Sequence, residues 1–147
     1  MSSDQYPCSD DLRPIAQELQ ISAIGCASAG EIPSCVSSAY AKWIDANKHG
    51  EMAYMAKYEN VRRNPQELLT GTQSVIVAAF NYHTTLKFPN NHPQWASYAL
   101  GDDYHDVVRN RLSQLASFIQ KKWGGETRVC VDTAPIFERY WAQQAGV

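Results

Sequence analysis

Asp132 stands in the stretch Val131-Asp132-Thr133-Ala134-Pro135-Ile136-Phe137-Glu138-Arg139, where an apolar run gives way to a proline-led segment. Residues 127–131 are mostly β-formers and are predicted as a strand. Pro135 suits the first turn of a helix over residues 134–145, because the N–H it lacks would have no intrahelical partner there. Side chains at such strand-to-helix junctions lie at the open edge of an α/β sheet, where ligands usually bind. Two kinds of chemistry are open to a lone acid in that place: proton transfer, or capping of the helix that follows. They make opposite demands. A helix N-terminus favours the ionised carboxylate, whereas a proton donor near neutral pH needs burial beside an apolar group to keep its proton.

Other reactive residue types give weaker patterns. Cys8, Cys26, Cys35 and Cys130 contain no CxxC pair, and His49, His83, His92 and His105 show no ligand spacing, so no metal site is expected. The cysteines read as free thiols packed as small apolar groups. Arg109, Arg111, Lys121 and Lys122 form a modest basic set that reads by default as a solvated helix face; phosphate contacts from it would appear as steep salt dependence. Trp43, Tyr54, Phe80, Trp95, Phe137 and Trp141 read as core residues rather than stacking surfaces.

The elements that must position these residues alternate in type. Residues 1–9 form a polar, flexible lead-in, and residues 10–147 one domain. Residues 10–20 have helical spacing of Leu12, Ile15, Ala16 and Leu19, with Ser9 or Asp10 as cap. A short strand is predicted over 21–27, a helix over 34–48 closed by Gly50, and a further turn or two over 51–58. Asn64-Pro65 starts a short helix ending by Gly71. Residues 74–82 are apolar on both faces, the pattern of a central strand covered on two sides. A polar loop with Pro89 and Pro93 follows, then a returning strand is expected over 95–100. Tyr104, Val107, Val108, Leu112, Leu115 and Ile119 mark a long helix over 102–123, with Lys121 and Lys122 suiting its negative end and Gly124-Gly125 stopping it. Alternating strands and helices place the chain in the α/β or α+β class.

Bulk composition narrows the function classes. The 147 residues suit one domain with a real core, and 44% apolar with 19% charged residues is ordinary for a folded protein. A net charge of −2 excludes a strongly basic surface, so nucleic acid would have to meet a local patch. The first ten residues do not resemble a signal peptide, and no apolar run approaches the roughly 18 residues that span a bilayer. A cytoplasmic location without membrane contact is expected.

Four ordered blocks carry a family resemblance: His49-Gly50-Glu51-Met52-Ala53-Tyr54-Met55-Ala56, Arg62-Arg63-Asn64-Pro65-Gln66-Glu67-Leu68-Leu69, Tyr98-Ala99-Leu100-Gly101-Asp102-Asp103-Tyr104-His105, and the Asp132 stretch. Over essentially residues 10–147 the chain is similar to the N-terminal domain of epoxyqueuosine reductases. The resemblance implies an α/β (α+β) fold of the nitroreductase-like and reductive-dehalogenase-like kind, a central sheet flanked by helices, with cobalamin in place of flavin. It implies an oxidoreductase that reduces epoxyqueuosine to queuosine at the tRNA wobble position with an external electron donor. The iron–sulfur clusters would lie in a following ferredoxin-like domain absent here, so the chain reads as a piece of a longer enzyme and is expected to be inactive and to bind tRNA weakly alone.

Residue by residue, the resemblance makes Asp132 the proton donor, since reductive opening of an epoxide leaves an alkoxide that must gain a proton. General acid catalysis of that kind contributes typically ~10²–10⁴-fold. Arg62 matches an arginine that holds cobalamin, a task suited to a planar guanidinium, with Arg63 one position away. Ala96 lies where the family runs along the corrin, with contact through backbone. Ser97 departs from the pattern, since many members have arginine there. The resemblance assigns no roles to Tyr104, His105, Glu138 and Arg139. Two alternatives stay open: a stand-alone cobalamin-binding module, and a flavin-binding nitroreductase-like domain without this activity.

Overall fold

The computed structural model describes residues 7–83, 95–132 and 134–147. The lead-in residues 1–6, the predicted polar loop with Pro89 and Pro93, His92, and Thr133 lie outside the described residues. Helices α1 (Ser9–Glu18), α2 (Ser34–Asp45), α3 (Ala53–Lys57), α4 (Glu59–Arg63), α5 (Tyr104–Trp123) and α6 (Glu138–Ala145) accompany strands β1 (Ala23–Ser28) and β2 (Ser74–Ala79). The strands pair as a two-stranded sheet. Ser22 N–H donates to the Ala79 carbonyl at 2.8 Å and Ala29 N–H to the Gln73 carbonyl at 2.9 Å, which makes the pairing antiparallel. The class is α+β.

This corrects three expectations. The apolar run over 74–82 is not a strand covered on two sides: β2 is half-buried along its whole length, with one partner strand among the described residues. Residues 95–100 do not return as a strand. Ser97–Ala99 is a 3-10 turn, closed locally where the Ala96 carbonyl accepts the Ala99 N–H at 2.9 Å. Residues 127–131 are not assigned as strand either; β-branched residues favour a pleated surface but do not supply one.

The contacts divide the chain into two units, Met1–Ile24 with Ala78–Asp132, and Gly25–Val77 with Thr133–Val147. In the first, α1 buries Leu12, Ala16 and Leu19, and α5 buries Leu115 and Ile119. Burying a side chain such as fully enclosed Leu12 contributes roughly 1.5–3 kcal/mol. Helix α1 is capped by Cys8, whose N–H and Sγ both donate to Asp11 Oδ2 at 3.0 Å. Arg111 Nη2 on α5 donates to Gln20 Oε1 just beyond α1 at 2.7 Å.

In the second unit Ala27, Ile32 and Trp141 are buried among Val36, Val75, Val77, Ile136, Phe137, Tyr140 and Ala145. A Cβ on Gly25 would stand 2.2 Å from the Ala145 carbonyl oxygen, so glycine is required for this close approach of backbones. Asn64 Oδ1 accepts the Gln66 N–H at 3.0 Å ahead of the 3-10 turn Pro65–Glu67, as the Asn-Pro pair predicts. Of the aromatics expected in the core, Trp141 is buried, but Tyr54 and Trp95 are 52% and 65% exposed. Cys8 and Cys35 are exposed rather than packed.

Candidate acid site

Helix α5 starts on Asp103, whose Oδ1 accepts the His105 N–H at 2.9 Å. That cap fixes the first turn, and the first turn aims Tyr104 and His105. The same Asp103 Oδ1 lies 2.7 Å from His105 Nδ1. On the other side of the imidazole, Nε2 lies 3.0 Å from Asp132 Oδ2. Tyr104 Oη donates to that same Asp132 oxygen at 3.0 Å, and its ring stacks on the His105 ring with centroids 4.0 Å apart. Two residues 28 and 27 positions from Asp132 in sequence thus converge on one of its oxygens. Asp132 itself has φ 50°, a left-handed conformation that aspartate tolerates better than most side chains.

The cluster is open to water. The side chains of His105, Asp103 and Asp132 are 34%, 63% and 57% exposed. Charge pairing rather than burial therefore sets its electrostatics. Hydrogen bonding to Asp103, then to Asp132, raises the His105 pKa. The same bond to His105 lowers Asp103, and the bond to Asp132 raises Tyr104. Aromatic rings extend from the cluster: Tyr98 meets Tyr104 edge-on at 5.7 Å, and Tyr82 meets Tyr98 at 6.4 Å.

Asp132 does not cap a helix. Helix α6 begins at Glu138, with Phe137 as its first flanking residue, so Pro135 precedes the helix instead of opening its first turn. Neither of the two surroundings expected of the carboxyl is found: it is not at a helix N-terminus, and it is not buried.

Arg62 lies in the other unit and is 8% exposed. Its Nη1 donates to the Ile136 carbonyl at 3.2 Å, Nη2 donates to Met55 Sδ at 3.5 Å, and the guanidinium lies over the Tyr40 ring at 5.8 Å. Nε is buried without a partner among the described residues. Arg63, its neighbour, pairs with Glu59 at 2.5 Å. Ala96 is exposed in the first unit, immediately before the 3-10 turn. Among the described residues no group of His, Cys, Asp and Glu could hold a metal ion. No described helix is long and apolar enough to cross a membrane.

Of the basic set, Arg111 is tied to Gln20 and lies over Phe80 at 6.0 Å. Lys122 lies over the Trp123 ring at 4.4 Å. Arg109 and Lys121 are exposed. The Asp103–His105–Asp132 pairing escaped sequence reasoning, although the Asp-Tyr-His spacing at a helix start carried half of it: a cap accepts an N–H two residues on. The partner 27 positions away had no local signal.

A family model described as "Epoxyqueuosine reductase QueG, DUF1730" matches residues 62–133. An epoxyqueuosine reductase of Cyclobacterium marinum is 39% identical over 108 residues, covering 71% of this chain and 35% of the relative. One from Francisella cf. novicida is 40% identical over 119 residues, covering 74% and 33%. One from Vibrio cholerae is 44% identical over 113 residues, covering 71% and 30%. The chain spans about a third of the length of the curated relatives it matches. No solved structure matches. A chain that shares about two residues in five with each of these enzymes, and whose acid cluster lies within the matched region, belongs to the epoxyqueuosine reductase family, in its N-terminal part.

Proposed function

We propose that this chain carries the acid-bearing part of an enzyme that reduces epoxyqueuosine to queuosine in tRNA, with Asp132 as the proton donor. The carrying observation is the open Asp132 carboxyl, held at Oδ2 by Tyr104 and His105 with no hydrogen bond at Oδ1 among the described residues. A carboxyl fixed at one oxygen and open at the other is placed to meet the alkoxide left when an epoxide opens.

Cobalamin is the cofactor in this reading, in a nitroreductase-like fold, and when bound it would supply the electrons and the bond-breaking chemistry at the epoxide. Exposed aromatic rings in the first unit support this reading: Tyr82, Tyr98 and Trp95 are 67%, 53% and 65% exposed, and Ala96, next to Trp95 in the chain, is exposed. Aromatic faces that find no core to fill are suited to stacking on such a ring. Arg62 enters the reading by holding the Ile136 carbonyl, four residues beyond Asp132 in the chain. The iron–sulfur clusters and much of the tRNA surface belong to parts of the enzyme outside this chain, and an external donor supplies its electrons.

The test is Asp132→Asn in a reductase of full family length. Turnover of epoxyqueuosine tRNA is expected to fall about 10²–10⁴-fold, with tRNA and cobalamin still bound; normal turnover removes the acid role. Titrating this chain with cobalamin and with flavin separates the cofactors, and tight yellow flavin in place of shifted corrin bands overturns the cobalamin reading.

A further inference from the structure

Asp132 is more than half exposed, so burial does not hold a proton on it. The cluster around Asp132 contains the remedy. His105 has a carboxylate on each ring nitrogen, Asp103 at 2.7 Å from Nδ1 and Asp132 at 3.0 Å from Nε2. A neutral imidazole carries one N–H and can donate to one of them only. Both contacts become hydrogen bonds in two ways: as an imidazolium between two carboxylates, or as a neutral ring that donates from Nδ1 to Asp103 and accepts at Nε2 from a protonated Asp132. The two arrangements hold the same number of protons and differ by one proton moved along a single hydrogen bond.

We propose that His105 is the proton reservoir of this site, with Asp103 fixing its tautomer and Asp132 passing its proton on. The inference rests on the role of Asp132 proposed above. In the step, the Nε2–H bond breaks, the proton passes through the Asp132 carboxyl, and an O–H bond forms on the alkoxide. Asp132 ends as carboxylate, and His105 ends neutral with its remaining N–H on Asp103. Water refills the ring, which is one-third exposed. Tyr104 stacks on the ring and donates to Asp132 Oδ2, so it holds both partners in plane without supplying the proton. The groups that face the imidazole are Asp103 and Tyr104 from the start of α5, and Asp132 from the segment after it. His105 acts through Asp132 and is a positioning and proton-holding residue.

The experiment is a titration of the His105 imidazole nitrogens by ¹⁵N NMR in this chain, without cofactor or tRNA. The expected midpoint lies above the ordinary histidine value of about 6.5. Asp103→Asn and Asp132→Asn are each expected to lower it, and Tyr104→Phe to leave it within a few tenths of a unit. An ordinary midpoint, or one indifferent to both asparagine variants, overturns the reservoir. A second arm uses the full-length reductase with His105→Gln, which keeps hydrogen bonds but carries no titrating proton. The alkaline limb of turnover is expected to move to lower pH; a loss by the same factor at every pH overturns the proposal and leaves a structural role. Normal turnover in Asp132→Asn is a different failure, because it removes the acid itself and leaves the titration result untouched.

Discussion

Asp132 and Arg62 make an instructive pair, because each is a charged residue in the family-matched region and the fold treats them in opposite ways. Asp132 is exposed in the first unit, and every partner it has among the described residues is a group that can give up or share a proton. Arg62 is enclosed in the second unit, its guanidinium turned to a backbone carbonyl, a thioether and a tyrosine ring. A buried cation with fixed internal partners organises its surroundings, and removing it strands those partners. An exposed acid can be removed with little effect on folding, so its pairing is available for chemistry. Both are ionisable and both lie in the family-matched region; burial separates them.

The largest effect that could break this contrast is on stability. Arg62→Ala is expected to lower unfolding free energy by about 3 kcal/mol, from the lost charged hydrogen bond and the stranded Ile136 carbonyl; chemical denaturation measures it, and a near-neutral result would make Arg62 a ligand residue rather than a support. Gly25→Ala tests the same packed unit without touching charge. The added Cβ meets the Ala145 carbonyl, so a loss of roughly 1–3 kcal/mol is expected by the same measurement. Asp132→Asn should leave the melting temperature of this chain nearly unchanged while it lowers the His105 midpoint, with Asp103 still holding it up.

Smaller still is the pH dependence of the acid cluster. His105 is raised in the folded chain from 6.5, so its stabilisation is complete below that pH and is lost as pH rises through the folded value. Asp103 is lowered from 3.8, so its contribution is present above 3.8 and is lost as pH falls through the folded value. The cluster therefore stabilises most between these two limits. Denaturation across the pH range is expected to show a shallow maximum there, flattened in His105→Gln. Last, Trp95→Ala should change stability by no more than about 0.5 kcal/mol, since the ring is mostly exposed; a larger loss would return Trp95 to the core.

Much was legible where the signal is local. The long helix α5 and its glycine stop follow from 3.6-residue spacing and the Gly124-Gly125 pair within one segment. Asn64-Pro65 marked its turn for the same reason. Residues 95–100 and 127–131 misled because β-forming composition records a preference for a pleated surface, and the pairing that satisfies it is not local. Tyr54 and Trp95 looked like core for a similar reason: apolar size says what a side chain gains from burial, and the fold decides whether burial is offered.

The sequence by itself determined the family, the class of candidate acid and the helical frame, all of which are written in contiguous residues. It did not determine what Asp132 is bonded to. That depends on φ 50° at Asp132 and on the arrival of Tyr104 and His105 from 28 and 27 positions earlier. Hydrogen bonds across such separations exist only once the chain has closed on itself. The tertiary structure alone therefore decided that an acid whose place allowed either proton transfer or a helix cap is paired with a histidine, and that Arg62 is enclosed.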